Sequence, residues 1–103
     1  MLNQVVLAGR LIANPIIEEK EGKKYAIITV AVPRPYKNID GIYETDFIDC
    51  RLWNVIAENT CEYCRKGDVV GIKGTLQTEI ENDIKKNIVI AEKVSFLSSR
   101  KED

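Results

Sequence analysis

The sequence contains no histidine, which removes the commonest general base and the commonest metal ligand among the amino acids. Catalytic triads that combine serine or cysteine with histidine are therefore excluded within one chain. No other convergent set of acid, base and nucleophile is visible in the sequence. The sequence therefore predicts a protein that is not an enzyme, with no catalytic residues and no cofactor.

Cysteine is scarce, occurring only at Cys50, Cys61 and Cys64. An odd number of cysteines, behind an N-terminus without the features of a signal peptide, indicates reduced thiols and a cytoplasmic protein. Cys61 and Cys64 have the spacing of a redox or zinc pair, but three thiols cannot complete a four-ligand zinc site alone. On a helix they share a face with Ala57, which favours packing over metal or redox chemistry. We predict no metal site.

Long apolar runs and a strong net charge are also missing. No apolar run approaches the roughly 20 residues needed to cross a bilayer, so we expect no membrane association. The 15 lysines and arginines nearly balance the 16 acidic residues, which argues weakly against a nucleic-acid partner. Phosphate affinity depends on local clusters of cations rather than on net charge. The candidate clusters are Arg34 with Lys37, Arg65 with Lys66, and Lys85 with Lys86.

The segment TDFIDCRLW, residues 45–53, is the most informative stretch that is present. Strand alternation puts its aliphatic residues on one face, and puts Phe47, Asp49, Arg51 and Trp53 on the other. Aromatic rings beside a guanidinium form a surface suited to stacking nucleobases and pairing phosphates. The alternative is that a helix or another subunit covers this face as well.

Strand-like segments separated by turn residues dominate the rest of the chain. Gly9 lies within the first strand and predicts a bulge or bend, Gly22 predicts a hairpin turn, and Pro33 predicts the end of the second strand. Gly67 lies where the C-terminal cap of a helix is expected. The predicted strands are 3–12, 24–32, 44–54, 68–80 and 86–97, and the one predicted helix is 56–66.

This element order predicts an all-β fold, the OB-fold, a five-stranded Greek-key barrel with one helix between strands 3 and 4. An SH3-like barrel or another five-stranded barrel is the alternative. Residues 1–98 form the single predicted domain, and 99–103 form a short polar C-terminal end. In an OB-fold, oligonucleotides lie across strands 2 and 3 and are gripped by neighbouring loops.

Several motifs in order resemble the family of bacterial-type single-stranded DNA-binding proteins, over residues 1 to about 97. They are MLNQVVLAGRLIANP, ITVAVPRPYKN, TDFIDCRLW, AENTCEYCRKGDVVGIKG and LQT. The resemblance implies sequence-independent binding of single-stranded DNA during replication, recombination and repair, usually by a homotetramer. It also implies a cytoplasmic, nucleoid-associated bacterial protein.

Site residues are predicted from both lines of reasoning. Carried over by position, the base-stacking aromatics are Tyr36, Phe47 and Trp53, two of which the strand pattern also selects. The expected phosphate contacts are Arg10, Arg34, Lys37, Arg51 and Lys73. The edge of the first strand is the expected contact between subunits, through Asn3, Val5 and Leu7, because pairing it would cover an exposed strand edge.

Two departures from the family pattern qualify the functional prediction. Where the family offers another stacking aromatic between strands 4 and 5, this chain has Glu79 and Glu81, which repel phosphate; we therefore expect weaker binding or a smaller site. The end, SSRKED, lacks the linker and acidic tip through which family members recruit replication and repair proteins. An OB-fold accessory of the primosome type, which mainly contacts other proteins, is the alternative function.

Overall fold

Six β-strands and one α-helix make up the part of the chain that a computed structural model describes, residues 1–98. The predicted C-terminal end, 99–103, lies outside the described residues. The elements are β1 (Val5–Leu11), β2 (Glu18–Lys20), β3 (Lys23–Lys37), β4 (Tyr43–Trp53), α1 (Asn54–Tyr63), β5 (Val69–Glu81) and β6 (Ile84–Phe96). Within residues 1–98, no helix has the length and apolarity that crossing a membrane requires.

The five long strands close into a barrel. Their order is β1-β5-β6-β4-β3, with the short β2 beside β3, and a second pairing between β1 and β3 closes the ring. The pairings are antiparallel except that between β4 and β6, which run parallel. Counting only the long strands, the helix follows the third, so the predicted OB-fold is confirmed.

The barrel interior is filled by alternate residues of the strands and by one face of the helix. Ala57 and Cys64 turn inward from the helical segment, which confirms the predicted packing role of the CxxC pair. The buried core consists of Leu11, Ala26, Ile28, Val30, Cys50, Leu52, Ala57, Cys64, Val70, Ile72, Val89 and Ala91.

Gly9 lies where β1 changes partners, as its position in the sequence predicts. β1 pairs with β5 from Val5 to Arg10 and reaches β3 only at Arg10 and Leu11. A Cβ at residue 9 would come within 2.6 Å of the carbonyl oxygen of Ala31. Only glycine allows the two backbones to approach this closely and close the barrel.

The prediction that β3 ends before Pro33 is wrong. β3 continues through both prolines to Lys37, and the loop to β4 shrinks to residues 38–42. Among the described residues, β3 has no partner other than β4 beyond Ala31. The missing N–H of a proline costs no ladder hydrogen bond on such an open edge.

Two other element boundaries also differ from the predicted ones. The connection predicted at 81–86 is reduced to Asn82 and Asp83, because Glu81 and Ile84 pair as the last residues of a two-residue hairpin. The helix runs Asn54–Tyr63 instead of 56–66, and its C-cap is Cys64 rather than Gly67. Arg65 takes over part of the capping by donating its Nη1 to the carbonyls of Cys61 and Cys64, each at 2.8 Å.

Candidate nucleic-acid interface

One side of the β3–β4 pair faces outward and carries the rings that the sequence singles out. Antiparallel partners share a face, and the pairings set Trp53 beside Tyr25, and Phe47 beside Ala31. Phe47 is 65% exposed, whereas Ile48, Cys50 and Leu52 turn to the interior. The predicted division of TDFIDCRLW into two faces is therefore confirmed. We call this surface, the odd-numbered residues of Tyr25–Pro33 and Tyr43–Trp53, the outer face.

Arg10 joins the outer face from the neighbouring strand. It pairs with Ala31, which in turn pairs with Phe47, so one row across three strands reads Arg10, Ala31, Phe47. With strands about 4.8 Å apart, the Cα atom of Arg10 lies about two strand spacings from that of Phe47. Arg10 is exposed and donates its Nη1 to the carbonyl of Gly67 at 3.0 Å.

Trp53 lies at the opposite end of the outer face from the loop between β3 and β4. Its ring packs on Tyr25 with centroids 5.7 Å apart, and the guanidinium of Arg51 lies 5.8 Å from its centroid. The hydroxyl of Tyr25 interacts with Glu18, which together with burial raises the pKa of Tyr25. Sequence reasoning missed Tyr25, although its place in the alternation of β3 could have identified it.

The hairpin of β5 and β6 forms the other wall of a groove at this end, with a volume of about 550 Å³. The groove is lined by Lys20, Tyr25, Ile27, Arg51, Trp53, Glu79, Ile80 and Glu81.

Glu79 binds Arg51 across this groove. The two side chains form a two-pronged pair, Nη1 to Oε1 and Nη2 to Oε2, the second at 3.0 Å. The Arg51 side chain is 20% exposed and that of Glu79 is 33% exposed, so the pair is partly shielded from water. From the sequence, Glu79 is expected to repel phosphate. In the structure it also forms an ion pair with Arg51, whose guanidinium is predicted to bind phosphate.

The hairpin between β3 and β4 extends beyond the barrel as a two-stranded arm, residues 33–46. Lys37 pairs with Tyr43 there, and its ammonium lies 5.7 Å from the centroid of the Tyr43 ring. Tyr36 is also exposed, but it precedes Lys37 by one residue. Tyr36 lies in the stretch of β3 between Pro33 and Lys37 where the register shifts, so it is not part of the regular ladder that pairs Lys37 with Tyr43.

Arg34 is held by two carboxylates of the arm. Its Nε and Nη2 donate to Asp46 at 3.0 and 2.9 Å, and its Nη1 donates to Glu44 at 2.7 Å. The hydrogen bonds to Arg34 hold the pKa of Asp46 below its usual value, and those to Asp46 raise the pKa of Arg34. Asp46 and Glu44 alternate with Phe47, so this cluster lies on the face opposite the rings.

Lys73 lies away from the outer face. It pairs with Val6 on one side and with Lys93 on the other, in a groove of about 580 Å³ on the β1, β5 and β6 side of the barrel. None of the three predicted stacking rings lines this groove.

The predicted subunit contact, Asn3, Val5 and Leu7, is partly engaged within the chain. Val5 and Leu7 pack against the core. The Asn3 amide exchanges two hydrogen bonds of 2.8 Å with the backbone of Leu76, which extends the β1–β5 ladder by a side chain. Val6 and Ala8 are the apolar residues of β1 that stay open to solvent, Val6 at 72% exposure.

The thiols of Cys50 and Cys61 are poor nucleophiles. Burial, with a smaller contribution from Asp49, raises the pKa of Cys50 to about 12, and burial also raises the pKa of Cys61. Over residues 1–98, no group of three or more cysteine or acidic side chains is placed to hold a metal ion.

Known proteins similar to this chain are bacterial. The model of the single-strand binding protein family matches residues 2–97. The chain is 41% identical to single-stranded DNA-binding protein B of Bacillus subtilis, covering 97% of this chain and 94% of that protein. It is 37% identical to single-stranded DNA-binding protein 1 of Clostridium acetobutylicum, covering 98% of each. A single-stranded DNA-binding protein of Halalkalibacterium halodurans is 41% identical, but the chain spans only 63% of it.

Proposed function

The chain belongs to the single-strand binding protein family and binds single-stranded DNA, and we propose that the DNA lies along the outer face of β3 and β4. The observation that carries this proposal is the row of rings on one face of β4, the exposed Phe47 and the half-buried Trp53, with Arg51 between them. Rings stack on any base, and cations follow the backbone, so such a surface binds without regard to sequence. The ligand is held and not chemically altered.

We assign base stacking to Phe47 and Trp53 on the outer face, and to Tyr36 where the DNA passes around the arm. Each base-stacking ring is worth about 1–3 kcal/mol in such proteins. Three rings therefore supply enough free energy for useful binding without any base-specific hydrogen bond.

We assign the phosphate contacts to cationic side chains beside this path. Arg10 borders Phe47 across Ala31, and Lys37 lies on the arm beside Tyr43. Arg51 contacts a phosphate once its ion pair with Glu79 is broken. Lys73 contacts DNA that continues around the barrel toward β5. Arg34 instead supports the arm, because its guanidinium is bonded to two carboxylates.

We also propose that the protein forms a homo-oligomer, a tetramer by resemblance to its family, through β1. From Val5 to Gly9 this strand pairs with β5 alone, so its other edge is open for a strand of a second copy. Because Val5 and Leu7 turn inward and Asn3 bonds Leu76, such a contact uses the open backbone edge and Val6.

The cellular role that fits this activity is protection and organisation of single strands during replication, recombination and repair, in the bacterial cytoplasm and on the nucleoid. The bacterial relatives and their names support this role.

The first experiment is a titration with oligo(dT) that follows the fluorescence of Trp53, the only tryptophan in the chain. We expect strong quenching, and we expect the affinity to fall as salt rises, because bound cations release counterions from the DNA. An unchanged signal, with no complex on a gel, would contradict the proposal and favour a protein-interaction module.

Alanine variants test the stacking residues. We expect Phe47→Ala and Trp53→Ala each to weaken binding about 5- to 150-fold, the equivalent of about 1–3 kcal/mol. Tyr63→Ala removes an exposed ring on the helix, away from the outer face, and is the matched control. Phe47→Ala is the safer test, because Trp53 also packs on Tyr25 and its removal can disturb the fold.

A further inference from the structure

The arm between β3 and β4 is held in a defined shape by its own polar contacts. An isolated two-stranded hairpin is marginally stable in water, so such contacts matter. At the tip, the side-chain oxygen of Asn38 accepts the backbone N–H groups of Asp40 and Ile42, both at 2.9 Å. At the base, Arg34 cross-links the two strands through its bonds to Asp46 and Glu44. These hydrogen bonds hold the backbone of the arm in a defined conformation, from which its side chains project.

Tyr43 shares a face with Phe47 and Trp53. β4 runs without a bulge on its own side from Tyr43 to Trp53, and the extra residues in the ladder belong to β3, between Pro33 and Lys37. Odd-numbered residues of β4 therefore stay on one face over the whole strand. The Tyr43 ring is 57% exposed, close to the value for Phe47.

Each end of β4 carries an aromatic ring with a cationic side chain close to it. At one end the Arg51 guanidinium lies 5.8 Å from the centroid of Trp53, and at the other the Lys37 ammonium lies 5.7 Å from that of Tyr43. Phe47 lies between them. Tyr43 and Trp53 are ten residue steps apart along the strand, a span of about 33 Å. A nucleic-acid strand that follows β4 from Trp53 past Phe47 therefore reaches Tyr43.

The two cations differ in one respect. Arg51 is occupied by Glu79, whereas within residues 1–98 no ion pair involves Lys37. The ammonium on the arm is available to a phosphate without first losing a partner.

We propose that Tyr43 and Lys37 form an additional nucleotide subsite on the arm, where the ring stacks a base and the ammonium pairs with a flanking phosphate. This inference rests on the proposed function, because it assumes that single-stranded DNA follows the outer face. It assigns to Tyr43 the continuation along β4 of the stacking row formed by Trp53 and Phe47.

The test compares two lengths of oligo(dT) near the ends of the range of about 4–16 nucleotides that single OB-folds cover. We expect Tyr43→Ala to weaken binding of the longer oligonucleotide about 5- to 100-fold. The shorter oligonucleotide, which occupies the Trp53 and Phe47 end, is expected to bind as it does to the unaltered protein. Tyr43→Phe keeps the ring and is expected to bind both lengths normally, and Tyr63→Ala is the control for loss of an exposed tyrosine elsewhere.

Lys37→Gln tests the phosphate contact separately. For the longer oligonucleotide, we expect the slope of log affinity against log salt to become shallower by about 0.7, the value for one phosphate contact on a single strand. The slope for the shorter oligonucleotide is expected to stay unchanged.

The outcomes separate the subsite from the function. If Tyr43→Ala binds the longer oligonucleotide as well as the unaltered protein does, while Phe47→Ala binds it weakly, the subsite is refuted and the function stands. Equal losses for both lengths would also refute a subsite at the end of the path. If Phe47→Ala and Trp53→Ala have no effect either, the proposed path along β4 is itself wrong.

Discussion

Arg51 is paired with the carboxylate of Glu79 in its own chain, and on the proposed DNA path a phosphate would compete for the same guanidinium. The pair with Glu79 is bidentate and partly shielded from water, a geometry that makes arginine–carboxylate contacts stronger than ordinary surface ion pairs. A phosphate that binds Arg51 must displace Glu79 or accept a carboxylate nearby. We therefore expect Glu79 to lower DNA affinity in two ways, by pairing with a cation and by adding a negative charge to the groove.

Replacing Glu79 with glutamine tests this competition. We expect Glu79→Gln to tighten binding of oligo(dT) and to make the salt dependence steeper by about 0.7, because one more cation becomes free to contact phosphate. Equilibrium titrations at several salt concentrations give both quantities. Glu62→Gln, an exposed glutamate on the helix, makes the same change in net charge away from the groove. Equal effects of the two variants would mean that only net charge matters and that Arg51 does not contact DNA.

At the scale of elements, the β5–β6 hairpin decides where Glu79 lies. Its two strands pair without interruption from Gly74 to Glu81 on β5, and only Asn82 and Asp83 make the turn. Both turn residues have positive φ, 52° and 63°, the conformation of a two-residue turn that matches the twist of the strands. The hairpin is therefore long enough to form the second wall of the groove beside Trp53.

Asp83 tolerates its positive φ less well than glycine does. We expect Asp83→Gly to stabilise the protein by about 0.5–1 kcal/mol, because glycine adopts the left-handed conformation without a steric penalty. Urea unfolding measures the change. Lys85→Gly, two residues later in the strand, is the matched control and is expected to destabilise the protein, since glycine weakens a regular strand. A loss of stability in Asp83→Gly would contradict this account of the turn.

At the scale of the whole molecule, the barrel is closed but β1 is only partly covered. The strand is shared between β5 and β3 and changes from one to the other at its C-terminal end, which leaves the edge before Arg10 open. Open edges of this kind favour pairing between copies of a chain. Val6 faces the same surface as Lys73 and Lys93, its partners across the sheet.

A charge at Val6 tests the proposed assembly. We expect light scattering to give the mass of an oligomer for the unaltered protein and a smaller mass for Val6→Lys, because a third lysine beside Lys73 and Lys93 repels them and resists burial. Quenching of Trp53 by oligo(dT) should persist per chain, since the outer face is unchanged. Val55→Lys, at an exposed valine on the helix, is the control and should keep the oligomer. A mass of one chain for the unaltered protein would refute the assembly.

Patterns with a short range in sequence predicted much of the fold and of the candidate site. Alternation separated Phe47 and Trp53 from Ile48 and Cys50, because neighbouring side chains of a strand must point to opposite faces. Gly9 indicated where the barrel closes, since a glycine inside a strand marks close approach of another backbone. The same local logic failed at Pro33, because whether a proline ends a strand depends on which edge has a partner.

By itself the sequence determined the barrel class, the helix after the third long strand, the inward packing of the CxxC pair and the two faces of β4, since each follows from local periodicity and turn chemistry. Only the tertiary structure decided that Glu79 binds Arg51, that Arg34 is bonded to Asp46 and Glu44, and that the Tyr25 ring packs on Trp53. Those relations join residues on different strands, so their physical origin is the register of the sheet. Register depends on turn geometry and on which face of each strand is buried, so it is a property of paired strands and not of any one segment of the chain.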